Sequence, residues 1–289
     1  MTGADRLKLL GQLTRLRLSL FVALSAATGF AVATYRLTWG ILVPSLACVL
    51  LAAGCSMLNQ YQERKLDAVM SRTRYRPIPS GRVSPLYALT ISIALIGSAI
   101  FVLALWCGLL ATIFGMSAVV LYNGVYTWMK RRSAFAAVPG AVIGALGPAI
   151  GWVAGGGAVW SPTLLALATV FFLWQVPHFW LLSLNYPSDY RDAGYPSPID
   201  SMGGDRLYRV GLMWIACTAV ATLSLPLFGL LSSVALYLVL CATAALLAGV
   251  LLRTAWRPTL DSVRYRVSFA GVNMFVLVTM ILLIVESGL

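Results

Sequence analysis

Residues 59–81 read NQYQERKLDAVMSRTRYRPIPSG, a polar stretch set in a chain that is otherwise mostly apolar. Asn59, Glu63 and Asp67 recur every fourth position, so on a helix their side chains line one face and point toward a common ligand. Arg64, Arg72, Arg74 and Arg76 follow, and Pro77, Pro79 and Gly81 close the segment. Acids that gather a divalent cation, beside guanidiniums that grip phosphate in a planar fork, are what a diphosphate bound through Mg²⁺ requires.

Outward from this segment the chain is built for lipid. Of its 289 residues 60% are hydrophobic and only 10% charged, and mean hydropathy is +0.86, whereas soluble domains carry about 25% charged residues. The fold class expected is all-α: one polytopic membrane domain over residues 1–289. Runs long enough to span hydrocarbon lie near 17–35, 40–60, 85–107, 109–128, 134–155, 161–184, 209–229, 232–252 and 267–285, nine in all. Nine spans put alternate connections on opposite sides, and the basic residues test that count. Twenty of the twenty-one fall on one side: in the N-terminal tail, in 62–84, in 129–133 with Lys130 and Arg131, in 185–208 with its edge, and in the last connection with Arg253, Arg257, Arg264 and Arg266; Arg36 stands opposite. The positive-inside rule makes that side cytoplasmic, with the N-terminus inside and the C-terminus outside a bacterial inner membrane.

The net charge of +12 sits at helix ends and short loops rather than in a domain. Lipid headgroups and phosphorylated substrates therefore suit it better than nucleic acid. Residues 1–15 are amphipathic and basic without a cleavage site, and are expected to remain as a cytoplasmic segment. The five cysteines lie within or beside spans and form no CxxC pair, so they read as small buried hydrophobes.

Six of the nine acids sit in two loops: Glu63 and Asp67 in 62–84, and Asp189, Asp192, Asp200 and Asp205 in 185–208. Each loop opens with an asparagine followed four residues later by an acid, Asn59 with Glu63 and Asn185 with Asp189. Long polar loops in a chain of short connections point to function, and two acidic loops on one face can share an anionic ligand through bridging metal. The plainer alternative is that the charges solvate helix ends and pair with neighbouring arginines.

Residues 59–85 resemble the first signature of the UbiA-type intramembrane prenyltransferases, and the run ER..D..M.RT..RP.PSG is similar to their protoheme IX farnesyltransferase (heme O synthase) branch. YTWMKRRS at 126–133, GPAIGW at 147–152, FLWQVPHFW at 172–180 and DYRDAGYP at 189–196 follow in the expected order. The resemblance covers about residues 15–285 and implies nine helices around a lipid-accessible central cavity. It also implies Mg²⁺ as cofactor and a prenyl diphosphate held at the cytoplasmic end. On matching positions, Asn59, Glu63 and Asp67 form the first metal and diphosphate motif and Asp189 with Asp192 the second, the metal carboxylates being Glu63, Asp67 and Asp189. Arg72, Arg76, Lys130 and Arg131 become phosphate contacts, and His178 faces a tetrapyrrole acceptor. Farnesyl diphosphate, protoheme IX and the bilayer are the implied partners, with heme A synthase or oxidase assembly proteins as possible neighbours.

Cleavage of an allylic diphosphate yields a carbocation that must be kept from water, and aromatic faces attract cations. Tyr61, Tyr122, Tyr126, Trp174 and Phe179 sit near the cytoplasmic thirds of the second, fourth and sixth predicted helices, where such a wall belongs; packing or interfacial anchoring is the ordinary alternative. His178, the one histidine, either ligates heme iron, orients a heme propionate or bonds a neighbouring helix near Pro177. Three departures from the family pattern, Ala136–Ala137 after the KRR turn, Gly147–Pro148 before the GW and SPIDSMGGDR after the second acidic motif, leave open another aromatic or polycyclic acceptor such as a quinone precursor. From another class, a transporter or a non-catalytic oxidase assembly factor is the competing reading.

Overall fold

Three Ser-Pro steps start three helices, and they show how the sequence sets its own boundaries. Ser84, Ser161 and Ser197 each accept a hydrogen bond from a backbone N–H of the helix they precede, and the proline after each occupies a first-turn position that needs no donor. The structure, a computed structural model, describes residues 3–255 and 262–289; Arg257 lies outside the described residues. Among these residues there are helices and turns and no strand.

Helix α1 (Gly3–Leu13) meets α2 (Leu16–Thr34) at a bend on Arg15, and α3 (Leu42–Val69) follows. Beyond the turns of 70–84, α4 (Pro85–Val102) runs through a π-helical stretch, Leu103–Cys107, into α5 (Gly108–Val119), a second π-helical stretch, Val120–Tyr126, and the short α6 (Thr127–Met129). α7 (Ala137–Gly140) leads to α8 (Val142–Ala154), then come α9 (Pro162–Asn185), α10 (Pro187–Asp192) and α11 (Pro198–Met202). α12 (Gly204–Leu223), α13 (Val234–Ala255) and α14 (Ser262–Glu286) complete the order.

Seven helical stretches among the described residues are long and apolar enough to cross a membrane. One of them, Pro85–Met129, holds 45 residues and contains two of the predicted spans. Gly108 has φ of 85°, and a Cβ on Gly115 would meet the Leu103 and Ile100 side chains; the chain therefore folds back on itself there as a hairpin. The predicted span 209–229 corresponds to α12, which is not among the seven because its first turns carry Asp205, Arg206 and Arg209.

Close backbone contact fixes the middle of the bundle. At Gly29 of α2 a Cβ would overlap the Pro148 carbonyl, and at Gly151 of α8 it would overlap the Ala26 carbonyl. Small residues that let backbones touch are how helices associate where water gives no apolar driving force. α9 touches α8, α12 and α14, and its buried Phe171, Trp174 and Trp180 place the FLWQVPHFW segment in the core.

Candidate active site at the charged end of the bundle

The face of α3 read from the fourfold spacing is buried: Asn59, Glu63 and Asp67 are 1%, 4% and 3% exposed. Carboxylates taken out of water need partners, and each has one. Asp67 accepts two hydrogen bonds from the Arg76 guanidinium, at 2.8 and 2.7 Å, because the turns of 70–80 carry the chain back over the end of α3. Thr73 Oγ1 donates to the Asp67 carbonyl at 2.9 Å and holds that return. Glu63 takes Lys130 Nζ on Oε2 at 2.7 Å and the Tyr195 hydroxyl on Oε1 at 2.8 Å. Asn59 donates to Thr127 Oγ1 at 3.1 Å and accepts from Arg15 at 3.3 Å.

The two predicted loops meet. Tyr195 reaches Glu63, and Asp189, 1% exposed, accepts from Ser71 N at 2.8 Å, Ser71 Oγ at 2.5 Å and Arg72 N at 3.2 Å. Asp189 thus ties the second segment to the first through its backbone and does not join Glu63 and Asp67. Asp192, three residues on, is exposed. Among the described residues no group of three or more His, Cys, Asp or Glu side chains is placed to share a metal ion.

The other basic residues divide. Arg72 lies over the Tyr186 ring at 5.2 Å. Arg131 donates to the Gln62 carbonyl at 3.0 Å and, with Arg64, Lys65 and Tyr195, lines a recess of about 330 Å³. In the sequence Arg15 counts only as a basic residue of the N-terminal tail. It sits at φ 46°, a left-handed conformation costly for a residue with a Cβ, and its guanidinium also reaches the Tyr122 hydroxyl at 3.5 Å. Burial pushes the Arg76 pKa down to about 10, with repulsion from Arg15 adding to the shift and Asp67 opposing it. Lys130 is lowered by burial as well, against the pull of Glu63, and burial raises Tyr195, with Glu63 beside it adding to the effect.

From the Glu63–Lys130 pair an aromatic file runs inward. Lys130 Nζ lies 5.5 Å from the Tyr126 ring centroid; Tyr126 stacks on Tyr122 at 6.1 Å and on Phe179 at 5.2 Å. Phe179 meets His178 at 5.8 Å, and His178 meets Trp174 at 5.1 Å. Four of the five predicted aromatics belong to this file. Tyr61 does not: two residues beyond Asn59 it turns to the far side of α3, packs against Leu13 and Met57, and carries Arg64 over its ring at 4.4 Å. His178 Nδ1 is 2.9 Å from Asn273 Oδ1 on α14, so the neighbouring-helix bond considered for it exists.

Buried acids, their cations and an aromatic wall thus meet at one end of a helical membrane protein. The chain matches the UbiA prenyltransferase family over residues 16–284 and belongs to it. It is 42% identical over 241 residues to the protoheme IX farnesyltransferase of Nitratidesulfovibrio vulgaris strain DP4, covering 83% of this chain and 84% of that one. The protein of the same name from Oleidesulfovibrio alaskensis is 35% identical over 283 residues, 97% of this chain and 96% of that one. Among solved structures, a UbiA homolog from Archaeoglobus fulgidus bound to GPP and Mg²⁺ superposes with a TM-score of 0.66 at 16% identity, over 95% of this chain and 99% of that one.

Proposed function

We propose that this protein transfers the farnesyl group of farnesyl diphosphate to a vinyl carbon of protoheme IX in a Mg²⁺-dependent reaction, giving the hydroxyethylfarnesyl side chain of heme O. The observation that carries the reading is the continuity of the aromatic file, which joins the buried Glu63–Lys130 pair at one end to His178 at the other. A diphosphate at the charged end and a tetrapyrrole at His178 would then lie along one wall. The two relatives named protoheme IX farnesyltransferase support the acceptor, and the Archaeoglobus fulgidus homolog bound to GPP and Mg²⁺ supports the donor and the ion.

The donor set suits Mg²⁺. Such an ion is held by one or two carboxylates together with substrate phosphates rather than by an all-protein cage, and two buried carboxylates one helical turn apart are what α3 offers. Among the described residues the amide oxygen of Asn185, at the head of the second segment, is buried without a hydrogen-bond partner. Glu63 and Asp67 would hold the ion, which when bound supplies Lewis-acid neutralisation of the leaving diphosphate. Arg76, Lys130, Arg72 and Arg131 bind the diphosphate oxygens, and Arg15 approaches from the N-terminal side. Asp189 keeps Ser71 and Arg72 in place, and Asp192, exposed on the same short helix, is open to a ligand that arrives from outside.

As the allylic C–O bond breaks, its electrons leave with diphosphate, and the arginine and lysine charges stabilise them where they form. Tyr126 and Phe179 face the carbon cation and exclude water. The vinyl π electrons of the acceptor make the new carbon–carbon bond, and water adds to the resulting cation with loss of a proton. With most basic residues on one set of connections, the charged end faces the cytoplasm of the bacterial inner membrane.

Purified protein in nanodiscs, given farnesyl diphosphate, protoheme and Mg²⁺, should release pyrophosphate and yield heme O by mass spectrometry. Asp67→Ala should lower turnover by about 100-fold or more, and chelation of Mg²⁺ should stop it. Turnover that survives both changes would remove the proposed role of Asp67 and of the metal.

A further inference from the structure

The bond between α9 and α14 decides more than how the two helices pack. Asn273 on α14 has its amide orientation set twice over. Its Nδ2 donates to the Phe269 carbonyl at 2.5 Å, and its Oδ1 receives the Trp174 indole N–H, a group that can only donate, at 3.2 Å. The atom that faces His178 Nδ1 at 2.9 Å is therefore an acceptor oxygen, and Nδ1 must carry the proton. The ring sits among Trp174, Phe179 and Phe269, whose centroids are 5.1, 5.8 and 4.8 Å away, surroundings that disfavour a charged imidazolium. A neutral imidazole protonated on Nδ1 has its lone pair on Nε2. Among the described residues Nε2 has no hydrogen-bond partner, and His178 is only half-buried.

We propose that Asn273 is a positioning residue that fixes His178 in this tautomer, so that Nε2 ligates the iron of the tetrapyrrole acceptor. The inference rests on the acceptor assignment above. An N–H bonded to a fixed amide oxygen is the arrangement that orients a metal-ligating histidine and raises its basicity. It also sets the acceptor in register: a ring held by its iron at His178 keeps its periphery beside Phe179 and Tyr126, at the end of the file that leads to Lys130.

The test titrates the purified full-length protein with protoheme and reads the iron–histidine stretch by resonance Raman spectroscopy and the reduction potential of the bound heme, with heme O formation followed in parallel. The histidine-ligated spectrum should be lost in His178→Ala and return with added imidazole. In Asn273→Leu, heme affinity should fall by about 10- to 100-fold, with a weaker iron–histidine stretch and a higher potential. Asn273→Asp should move both signals the opposite way, because a carboxylate draws the Nδ1 proton more strongly. A purely structural role for Asn273 predicts loss of stability in both variants but no such opposed shifts. Wild-type protein that farnesylates protoheme while the three variants keep its heme spectrum would overturn the inference and leave the function intact. A wild-type protein that binds no protoheme would overturn both.

Discussion

Lys130 and Arg76 are cations in places that disfavour cations, and this has a consequence in pH. Burial lowers Lys130 from its ordinary 10.5 and brings Arg76 to about 10. A proton lost from Lys130 removes charge that a diphosphate needs, so binding weakens as pH rises, and the lowered pKa makes the loss begin sooner than an exposed lysine would show, while the Arg76 guanidinium keeps its charge over the working range. The KM for farnesyl diphosphate should therefore climb on the alkaline side, and Lys130→Arg, whose guanidinium holds its proton, should push that climb to higher pH. Identical profiles for the two proteins would show that Lys130 does not carry it. The Asp67–Arg76 pair lay within reach of the sequence because nine residues of turn-rich chain separate its members. Glu63 and Lys130 stand 67 apart, so their types could be read as acid and phosphate contact but not their pairing. Arg15 and Asn273 had no local signal, since each matters only through a partner on another element, and Tyr195 lay inside the DYRDAGYP run without any sign that it would reach Glu63. Tyr61 is the opposite case: helical periodicity already turned it away from Asn59.

At the scale of elements, the contact between α2 and α8 is legible by halves. The glycines of GPAIGW announce a close approach, but Ala26 and Gly29, the surfaces they approach, are unremarkable in sequence and become partners only when the helices cross. Gly151→Ala places a methyl group against the Ala26 carbonyl, a backbone atom that cannot swing aside. It should cost about 1–3 kcal/mol of stability as α2 and α8 are forced apart. Gly249 on α13 has nothing within 4 Å of a built Cβ, so Gly249→Ala should be neutral or slightly stabilising through helix propensity. Thermal unfolding of both variants in one detergent makes the comparison, and equal melting temperatures would mean that the α2–α8 contact relaxes without cost. The Ser-Pro starts were readable outright, because cap and first turn are neighbours in the chain.

Over the whole molecule the open quantity is parity. Hydropathy alone gives seven stretches; the reversal at Gly108 makes one of them a hairpin, and α12 then decides on which side the chain ends. Its first residue stands beside Leu184 at the end of α9. Trp214 at its middle meets both Phe172 and Trp180 of α9, and beyond its end the Phe228 carbonyl accepts from Thr163 at the start of α9 at 3.0 Å. α12 therefore runs antiparallel to α9 from end to end, and a helix packed along the whole of one of the seven apolar stretches is expected to cross with it despite the charges of its first turns. Those charges dilute the hydropathy of the helix as folded while marking the face at which it begins, so the apolar run 209–229 is legible in the sequence but the charged first turns that extend it at 204–209 are not. An alkaline phosphatase reporter, active only outside the cytoplasm, should be silent when placed after Gly81 and active when placed after Leu289. Silence at both positions would mean that α12 lies on the membrane without crossing it; the two acidic segments, which precede α12, would keep their face, and Arg253 and Arg264, between which the chain passes from α13 to α14, would move to the opposite one.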